Sequence, residues 1–304
     1  MAAVVASSSI PISTNFLDHV KVRMQTRVAL GGTSAAYSPK LLVSSQRLLG
    51  EEGAIAFYAT GLPASVLREA ATQVFRFGSY PLARDLISTA AGGGSGGDSA
   101  VGAKLAAGLI GGAASGVAAS PFDLMRIRAQ AEGGRVGADG RTLETGLRAG
   151  LPARARGFGS TLSLLLHEGG GVTSLWRGAG VNALRAACLN AGTVPVYEHT
   201  KHLAKRHLGV RDSPPLHLSA GLVAGLVGTT VAAPADLVRT RIMSAAPGAH
   251  PWEVVAGICR EGRGVRAFLI GWWPAYMRLG PVLLFYPAIV EQVRTRLFGL
   301  GTLV

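Results

Sequence analysis

Apolar residues in this chain are grouped in stretches that are long enough to form membrane-spanning helices. Six of them follow one another, at residues 2–17, 62–84, 103–121, 177–199, 216–234 and 271–293. A transmembrane helix needs about 20 predominantly apolar residues. Several stretches are interrupted by one or two charges, and ionisable groups at bilayer depth usually face a bundle interior or a wet cavity. The pattern therefore predicts an all-α membrane protein in which six helices enclose a pore or a substrate cavity.

The composition supports a membrane protein over the other classes. Hydrophobic residues make up 48% of the 304 residues, and charged residues make up 15%. An ordinary soluble domain carries about 25% charged residues. The net charge of +13 would suit a nucleic-acid binder, but the shortage of polar surface does not, so we expect no nucleic-acid partner. Cys188 and Cys259 provide neither a disulfide framework nor the spacing of a metal site.

The short sequence signatures of enzymes are either absent from the chain or stand in a loop. It contains no G-x-x-x-x-G-K-[ST] phosphate loop, and its one G-x-S-x-G string, at 93–97, lies in a run of glycines that predicts a flexible loop and not the strand-to-helix turn of a nucleophile motif. The seven histidines are scattered and do not form an H-E-x-x-H pair. We therefore predict that the protein is not an enzyme and holds neither a metal ion nor a cofactor.

One charged motif occurs three times, each time at the end of an odd-numbered apolar stretch. Its aspartate and two basic residues are Asp18, Lys21 and Arg23, then Asp123, Arg126 and Arg128, then Asp236, Arg239 and Arg241. Each copy is followed by a Glu-Gly pair and then by an aromatic residue and a glycine, the glycines being Gly61, Gly178 and Gly271. Three related units of this kind predict a six-helix bundle with pseudo-threefold symmetry. We place the repeats at 1–98, 99–209 and 210–304.

These motifs resemble those of the mitochondrial carrier family, and the resemblance covers nearly the whole chain. It implies six tilted transmembrane helices and three short matrix helices around a central cavity. It also implies a multi-pass, monomeric protein of the mitochondrial inner membrane that works by alternating access. The expected partners are a small anionic substrate and an anionic lipid of the cardiolipin kind.

The repeated charges predict a gate. Acid and base three residues apart lie on one helix face, so each can bridge to the next helix and close a ring. The resemblance implies a matrix gate built from Asp18, Lys21, Asp123, Arg126, Asp236 and Arg239, with Gln25 and Gln130 as braces. Met243 stands where the third brace would be. The alternative is that these charges simply reach the lipid headgroups from the helix ends.

A second charged pattern ends the even-numbered stretches. It predicts a cytoplasmic gate formed by Arg84, Glu198, Lys201, Glu291 and Arg294. In the second stretch, Pro81 replaces the acid, which leaves two acids for three bases. We therefore expect this gate to be weak.

All three even-numbered stretches carry an arginine at one depth. Arg68, Arg185 and Arg278 stand twelve or thirteen residues before the second motif, while Thr72 and Arg76 share a helix face with Arg68. Arginines in mid-membrane without an acid nearby in sequence require an anionic ligand or a wet cavity. Guanidinium suits bidentate binding of carboxylate or phosphate. We predict that these five residues bind a small anion, and that a dianion such as a dicarboxylate fits best, even though Glu69 offsets part of the charge.

The sequences around these arginines resemble the oxoglutarate and dicarboxylate carriers, a subgroup that includes the uncoupling proteins. The resemblance implies exchange of small carboxylates of the oxoglutarate or malate kind, held by Arg68, Arg76, Arg185 and Arg278. Thr72 and Glu69 depart from the subgroup, where an aromatic residue and a glutamine are common. The sequence leaves three alternatives open: an uncoupling-type carrier, a carrier of an inorganic anion, and a divergent chain that has lost transport.

Two segments depart from the repeat. Phe16 replaces the motif proline, and the seventeen residues before Asp18 reach about 25 Å, short of a hydrocarbon core of about 30 Å. We therefore expect a short, incomplete or divergent first helix. The Arg-rich stretch 133–159 predicts a matrix-side loop, which either binds anionic lipid or is simply solvated; the second is favoured.

Overall fold

The computed structural model describes residues 2–26, 37–38, 40–75, 97–154, 157–208, 214–245, 250–260 and 264–278. Within these ranges the chain is mostly helical and contains no β-strand, apart from two isolated bridges between residues 136 and 152. The helices are α1 (Ala2–Thr26), α2 (Leu41–Ala59), α3 (62–75), α4 (Gly97–Glu132), α5 (Phe158–Glu168), α6 (Ala179–Leu208), α7 (Pro214–Ser244), α8 (Pro251–Arg260) and α9 (Trp272–Met277). Short 3₁₀ turns cover Val172–Trp176 and Gly264–Leu269.

Each predicted repeat contains a long helix, a short helix and, after a glycine turn, a third helix, which is α3, α6 or α9. The long helices that carry the charged motif are α1, α4 and α7, and the short ones are α2, α5 and α8. A buried apolar cluster joins the motif-bearing ends of all three long helices, through Val22, Leu124, Met125, Ile127 and Met243 among others. The motifs of the three repeats therefore lie together at one end of the molecule.

The helices α3, α6 and α9 each begin directly after a glycine with positive φ. Gly61, Gly178 and Gly271 have φ of 74°, 81° and 83°, a conformation that side-chain-bearing residues rarely adopt. A side chain at Gly61 would come within 3.0 Å of Gln130, and one at Gly271 within 2.9 Å of Gln25. The recurring glycine thus serves a tight turn that packs against the neighbouring long helix.

Hydropathy alone identifies one membrane span within the described ranges. Residues Pro215–Ser244 of α7 form a helix that is long and apolar enough to cross a bilayer by length and composition. The other long helices are recognised by the repeat rather than by their apolar content.

The first helix is continuous through Phe16. It runs over 25 residues, and the ring of Phe16 lies 5.9 Å from that of Phe57 in α2. Beside it, the buried amide of Asn15 donates hydrogen bonds to the carbonyl groups of Tyr58 (2.6 Å) and Thr60 (3.0 Å). These contacts attach α1 to the end of α2.

The Arg-rich stretch after α4 is folded rather than simply solvated, contrary to the expectation that we favoured. Leu143, Leu147 and Arg148 are buried. The backbone closes on itself, since the amide of Leu143 donates to the carbonyl of Leu151 (3.0 Å). Burial of leucine side chains and of an ion-paired arginine explains why a segment with this charge does not remain in solvent.

Candidate functional site

A ring of ion pairs joins the motif-bearing ends of α1, α4 and α7. Each basic residue reaches the aspartate of a different repeat, as the three copies of the motif predict. The pairs are Arg126–Asp18 (2.8 Å), Arg239–Asp123 (2.6 Å) and Lys21–Asp236. All six side chains are at most 15% exposed, and buried charges are tolerated when they are paired in this way. We call these six residues the charge ring.

The residues expected to brace the charge ring make different contacts. The amide of Gln25 lies 3.4 Å from Asp236 and donates to the carbonyl of Ile270 (3.0 Å). The amide of Gln130 instead lies within 3.2 Å of Asn15 and 3.4 Å of the Thr60 carbonyl. Met243 is fully buried against the turn at Gly178. All three residues therefore pack against one of the glycine turns, at Gly271, Gly61 and Gly178 respectively, but their polar contacts differ.

The three aligned arginines each reach a different aspartate of the charge ring. Arg278 lies 3.1 Å from both carboxylate oxygens of Asp18. The Nε atoms of Arg68 and Arg185 lie 3.7 Å from Asp123 and Asp236. From the sequence we expected these arginines to lack an acid partner, because no acid in their own helices is placed to pair with all three. In the folded chain, each aspartate contacts one base from each of the other two repeats.

A cavity of about 240 Å³ lies at the charge ring and contains all three arginines. Its described lining includes six basic side chains, namely Lys21, Arg68, Arg126, Arg185, Arg239 and Arg278, against the two carboxylates of Asp18 and Asp236. The rest of the lining consists of uncharged residues such as Leu189, Thr193, Gly225, Thr229 and Trp272. A cavity with this excess of positive charge attracts anions.

Glu69 lies beside Arg68. Its carboxylate is 2.5 Å from Arg68 Nη2 and 3.4 Å from the amide of Gln73. Arg76, which the sequence predicts to bind the anion as well, lies outside the described residues. The hydroxyl of Thr72 donates to the backbone carbonyl of Arg68 (2.8 Å) and does not line the cavity.

The predicted cytoplasmic gate is mostly beyond the described part of the chain. Arg84, Glu291 and Arg294 lie outside it, as does the side chain of Glu198. Lys201 lies on α6, among the described residues. This gate therefore stays a prediction.

Two residues of the site were missed in the sequence. The buried amide of Asn182 donates to Asp123 (3.3 Å) and to the carbonyl of Gly116 (3.2 Å). Asn182 follows Gly178 by four residues, as Ser65 follows Gly61, and this spacing places both on the inward face of their helices. Trp272 lines the cavity and donates to the hydroxyl of Thr230 (3.0 Å).

Known proteins are similar to this chain along most of its length. The sequence model of the family described as "Mitochondrial carrier protein" matches residues 1–91, 97–208 and 210–300. "Mitochondrial citrate transporter F" of Aspergillus niger is 30% identical over 274 residues, which cover 88% of this chain and 79% of that protein. "Probable mitochondrial 2-oxoglutarate/malate carrier protein" of Dictyostelium discoideum is 30% identical, with 92% and 83% coverage. "Mitochondrial brown fat uncoupling protein 1" of Bos taurus is 27% identical, with 97% and 91% coverage.

Three related helical units that share a buried charge ring and a basic cavity define a membrane transporter. The chain belongs to the mitochondrial carrier protein family. It is accordingly a multi-pass protein of the mitochondrial inner membrane, and members of this family are transporters rather than enzymes.

Proposed function

We propose that the protein exchanges small dicarboxylates across the mitochondrial inner membrane by alternating access. The observation that carries this proposal is the meeting of Arg68, Arg185 and Arg278 at one cavity. They come from three repeats, and guanidinium groups bind carboxylates in a bidentate way. In this proposal six tilted helices surround the cavity, and the short helices α2, α5 and α8 lie on the matrix side.

The size and charge of the cavity support a small dianion. Its volume of about 240 Å³ is below the about 300 Å³ at which pockets for drug-sized ligands begin. Three arginines around so small a space can hold two carboxylates at once. The name of one relative, a 2-oxoglutarate/malate carrier, points to dicarboxylates, and the name of another, a citrate transporter, points to a small carboxylate with one more acid group.

The contacts of the arginines provide a way to couple substrate binding to gating. We take the charge ring to be the matrix gate, closed in this structure. A substrate carboxylate that binds Arg278 competes with Asp18 for the same guanidinium, and the same competition applies to Arg68 and Arg185. Each aspartate would then lose one of the two basic partners that the other repeats provide. Substrate binding thereby weakens the closed gate, as differential binding to two states requires.

The cytoplasmic gate of the proposal consists of Arg84, Glu198, Lys201, Glu291 and Arg294. It is weaker than the charge ring because Pro81 provides no acid. The cardiolipin-like lipid partner and the monomeric state also stay predictions.

An uncoupling-type activity is the second candidate, and the likeness to bovine uncoupling protein 1 over 97% of the chain favours it. The two functions differ in what crosses the membrane. Exchange requires an anion on both sides, whereas uncoupling dissipates a proton gradient without a counter-substrate. Loss of transport altogether is the remaining alternative from the sequence.

Uptake into proteoliposomes tests the proposal. Vesicles preloaded with malate, oxoglutarate, phosphate or sulfate are offered labelled malate, and proton leak is followed in parallel. We expect uptake that depends on an internal dicarboxylate, and loss of that uptake in Arg185→Ala and Arg278→Ala. Arg266→Ala serves as the control because Arg266 is exposed and does not line the cavity. Full uptake in both cavity variants would overturn the assignment of the site, and proton leak without exchange would favour the second candidate.

A further inference from the structure

The connection between α4 and α5 is the long one among the three repeats. It spans 25 residues, 133–157, whereas the connection between α7 and α8 spans the six residues 245–250. The corresponding segment of the first repeat covers the fourteen residues 27–40. The second repeat thus contains an insertion that the pseudo-threefold symmetry does not require. We call residues 133–154 of it the strap.

The strap is tied to α1 directly beside the charge ring. Arg23, two residues after Lys21, is fully buried and donates to the carbonyl of Gly133 (2.6 Å). Gly146 has φ of 87°, and a side chain there would lie 2.8 Å from the Arg23 guanidinium and 2.6 Å from the Gly133 carbonyl. The strap therefore closes around the Arg23 guanidinium, which also forms an ion pair with Glu52 of α2. Burial raises the pKa of the Glu52 carboxyl, and the charge of Arg23 acts in the opposite direction.

The strap is also anchored on α4. Arg148 Nη1 lies 2.8 Å from Glu132 Oε2, and both side chains are at most 6% exposed. Glu132 is paired with Arg128 of its own helix as well. A buried charge-assisted contact of this kind holds a loop in one position, because withdrawal of either partner leaves an unpaired charge.

Leu147 places the strap against residues of the first and third repeats. It is buried in one cluster with Val20 and Met24 of α1, Leu48 of α2, and Ile270 of the third repeat. Ile270 accepts a hydrogen bond from Gln25, whose amide also lies 3.4 Å from Asp236. The strap, which belongs to the second repeat, thus supports the Lys21–Asp236 joint between the other two.

We propose that the strap is a matrix-side latch that stabilises the closed charge ring, with Leu147 and Arg148 as its positioning residues. The proposal rests on the proposed function, since it takes the charge ring to be a gate. Opening separates α1 from α7 and from Ile270, and α1 cannot leave this position while the strap packs on Arg23 and Met24. Release of the strap is therefore part of opening, and a weakened strap increases the population of the matrix-open state.

The test measures access to the cavity from the matrix side. The two native cysteines are replaced (Cys188→Ser and Cys259→Ser), and Thr229→Cys introduces a thiol into the cavity wall. Proteoliposomes of determined orientation then receive a membrane-impermeant sulfonated thiol reagent on the matrix side only. We expect Arg148→Met and Leu147→Ala each to raise the labelling rate about fivefold or more, the lower end of ordinary coupling between sites.

Matched control variants distinguish an effect of the strap from a general disturbance of the fold. Arg141→Ala removes an exposed arginine from the same loop and should label at the parent rate. Leu147→Ala leaves the buried ion pair intact, so it still tests the strap if Arg148→Met fails to fold. If both strap variants are labelled at the Arg141→Ala rate while the protein still exchanges dicarboxylates, the strap is not a latch. The proposed function would be unaffected by that result.

A gate variant identifies the other kind of failure. Lys21→Ala opens a joint of the charge ring directly and should raise labelling whether or not the strap exists. If Lys21→Ala is labelled at the parent rate and the parent shows no exchange, the proposed function is wrong. The proposal that the strap is a latch is then wrong as well.

Discussion

Each aspartate of the charge ring holds two basic side chains from different repeats. Asp18 contacts Arg126 of α4 at 2.8 Å and Arg278, after α9, at 3.1 Å. Asp18 itself is 6% exposed, so little water is available to replace either partner. Removing one member of a buried ion pair leaves an uncompensated charge. The loss of Asp18 therefore leaves two guanidinium groups with one partner fewer.

At this scale we predict that Asp18→Asn lowers the free energy of unfolding by about 3–5 kcal/mol, the usual cost of breaking a buried pair. Denaturant titration of the purified protein in detergent micelles measures it. Asp139→Asn is the control, because Asp139 is an exposed loop aspartate. An unchanged midpoint for Asp18→Asn would mean that the ring contributes little to stability.

Among the secondary-structure elements, the glycine turns before α3, α6 and α9 connect neighbouring repeats. The turn at Gly271 packs on Gln25 of α1, and the turn at Gly61 packs on Gln130 of α4. Both require the left-handed backbone conformation, which costs about 1–2 kcal/mol for a residue with a side chain. The sequence pattern of an aromatic residue followed by glycine thus reports a close approach between repeats.

Gly271→Ala should destabilise the protein more than Gly170→Ala does. Both glycines have positive φ, 83° and 72°, but a side chain at Gly170 would meet nothing within 4 Å, whereas at Gly271 it meets Gln25. The difference between the two melting temperatures measures the packing contact beyond the strain of a positive φ. Equal losses would show that backbone conformation alone accounts for the glycine.

At the scale of the whole molecule, the pseudo-threefold pattern links every repeat to the other two through six acid–base contacts. The ring bases provide three of them, and Arg68, Arg185 and Arg278 provide the others. A network of this kind behaves differently from three separate pairs, since an exchange of charges within one pair disturbs a third residue.

Exchanging the charges of one pair tests the network. Lys21→Asp combined with Asp236→Lys restores an ion pair in the ring, but it also places a lysine where Arg185 Nε lies 3.7 Å from the carboxylate. We expect the double variant to regain only part of the stability and exchange rate that each single variant loses. Complete recovery of both would show that the contact between Arg185 and Asp236 does not contribute to the stability of the closed state.

Much of the site was predictable from local rules. The spacing of Asp123 and Arg126 on one helix turn, repeated in three units, predicted a ring between helices, and the ion pairs of the ring confirm that geometry. The common depth of Arg68, Arg185 and Arg278 predicted that they would meet, and they line one cavity. The burial of Arg148 was not predictable, because its neighbours in sequence are those of a solvated loop.

The three repeats, the helical elements and the residue types that face the interior can be deduced from the amino-acid order alone, because they follow from periodicity along a single chain. The folded structure is needed to learn which base meets which acid, that Arg278 reaches Asp18, and that the strap packs against α1. These contacts join residues from different repeats, and their partners depend on how the helices pack in space rather than on any spacing along the chain.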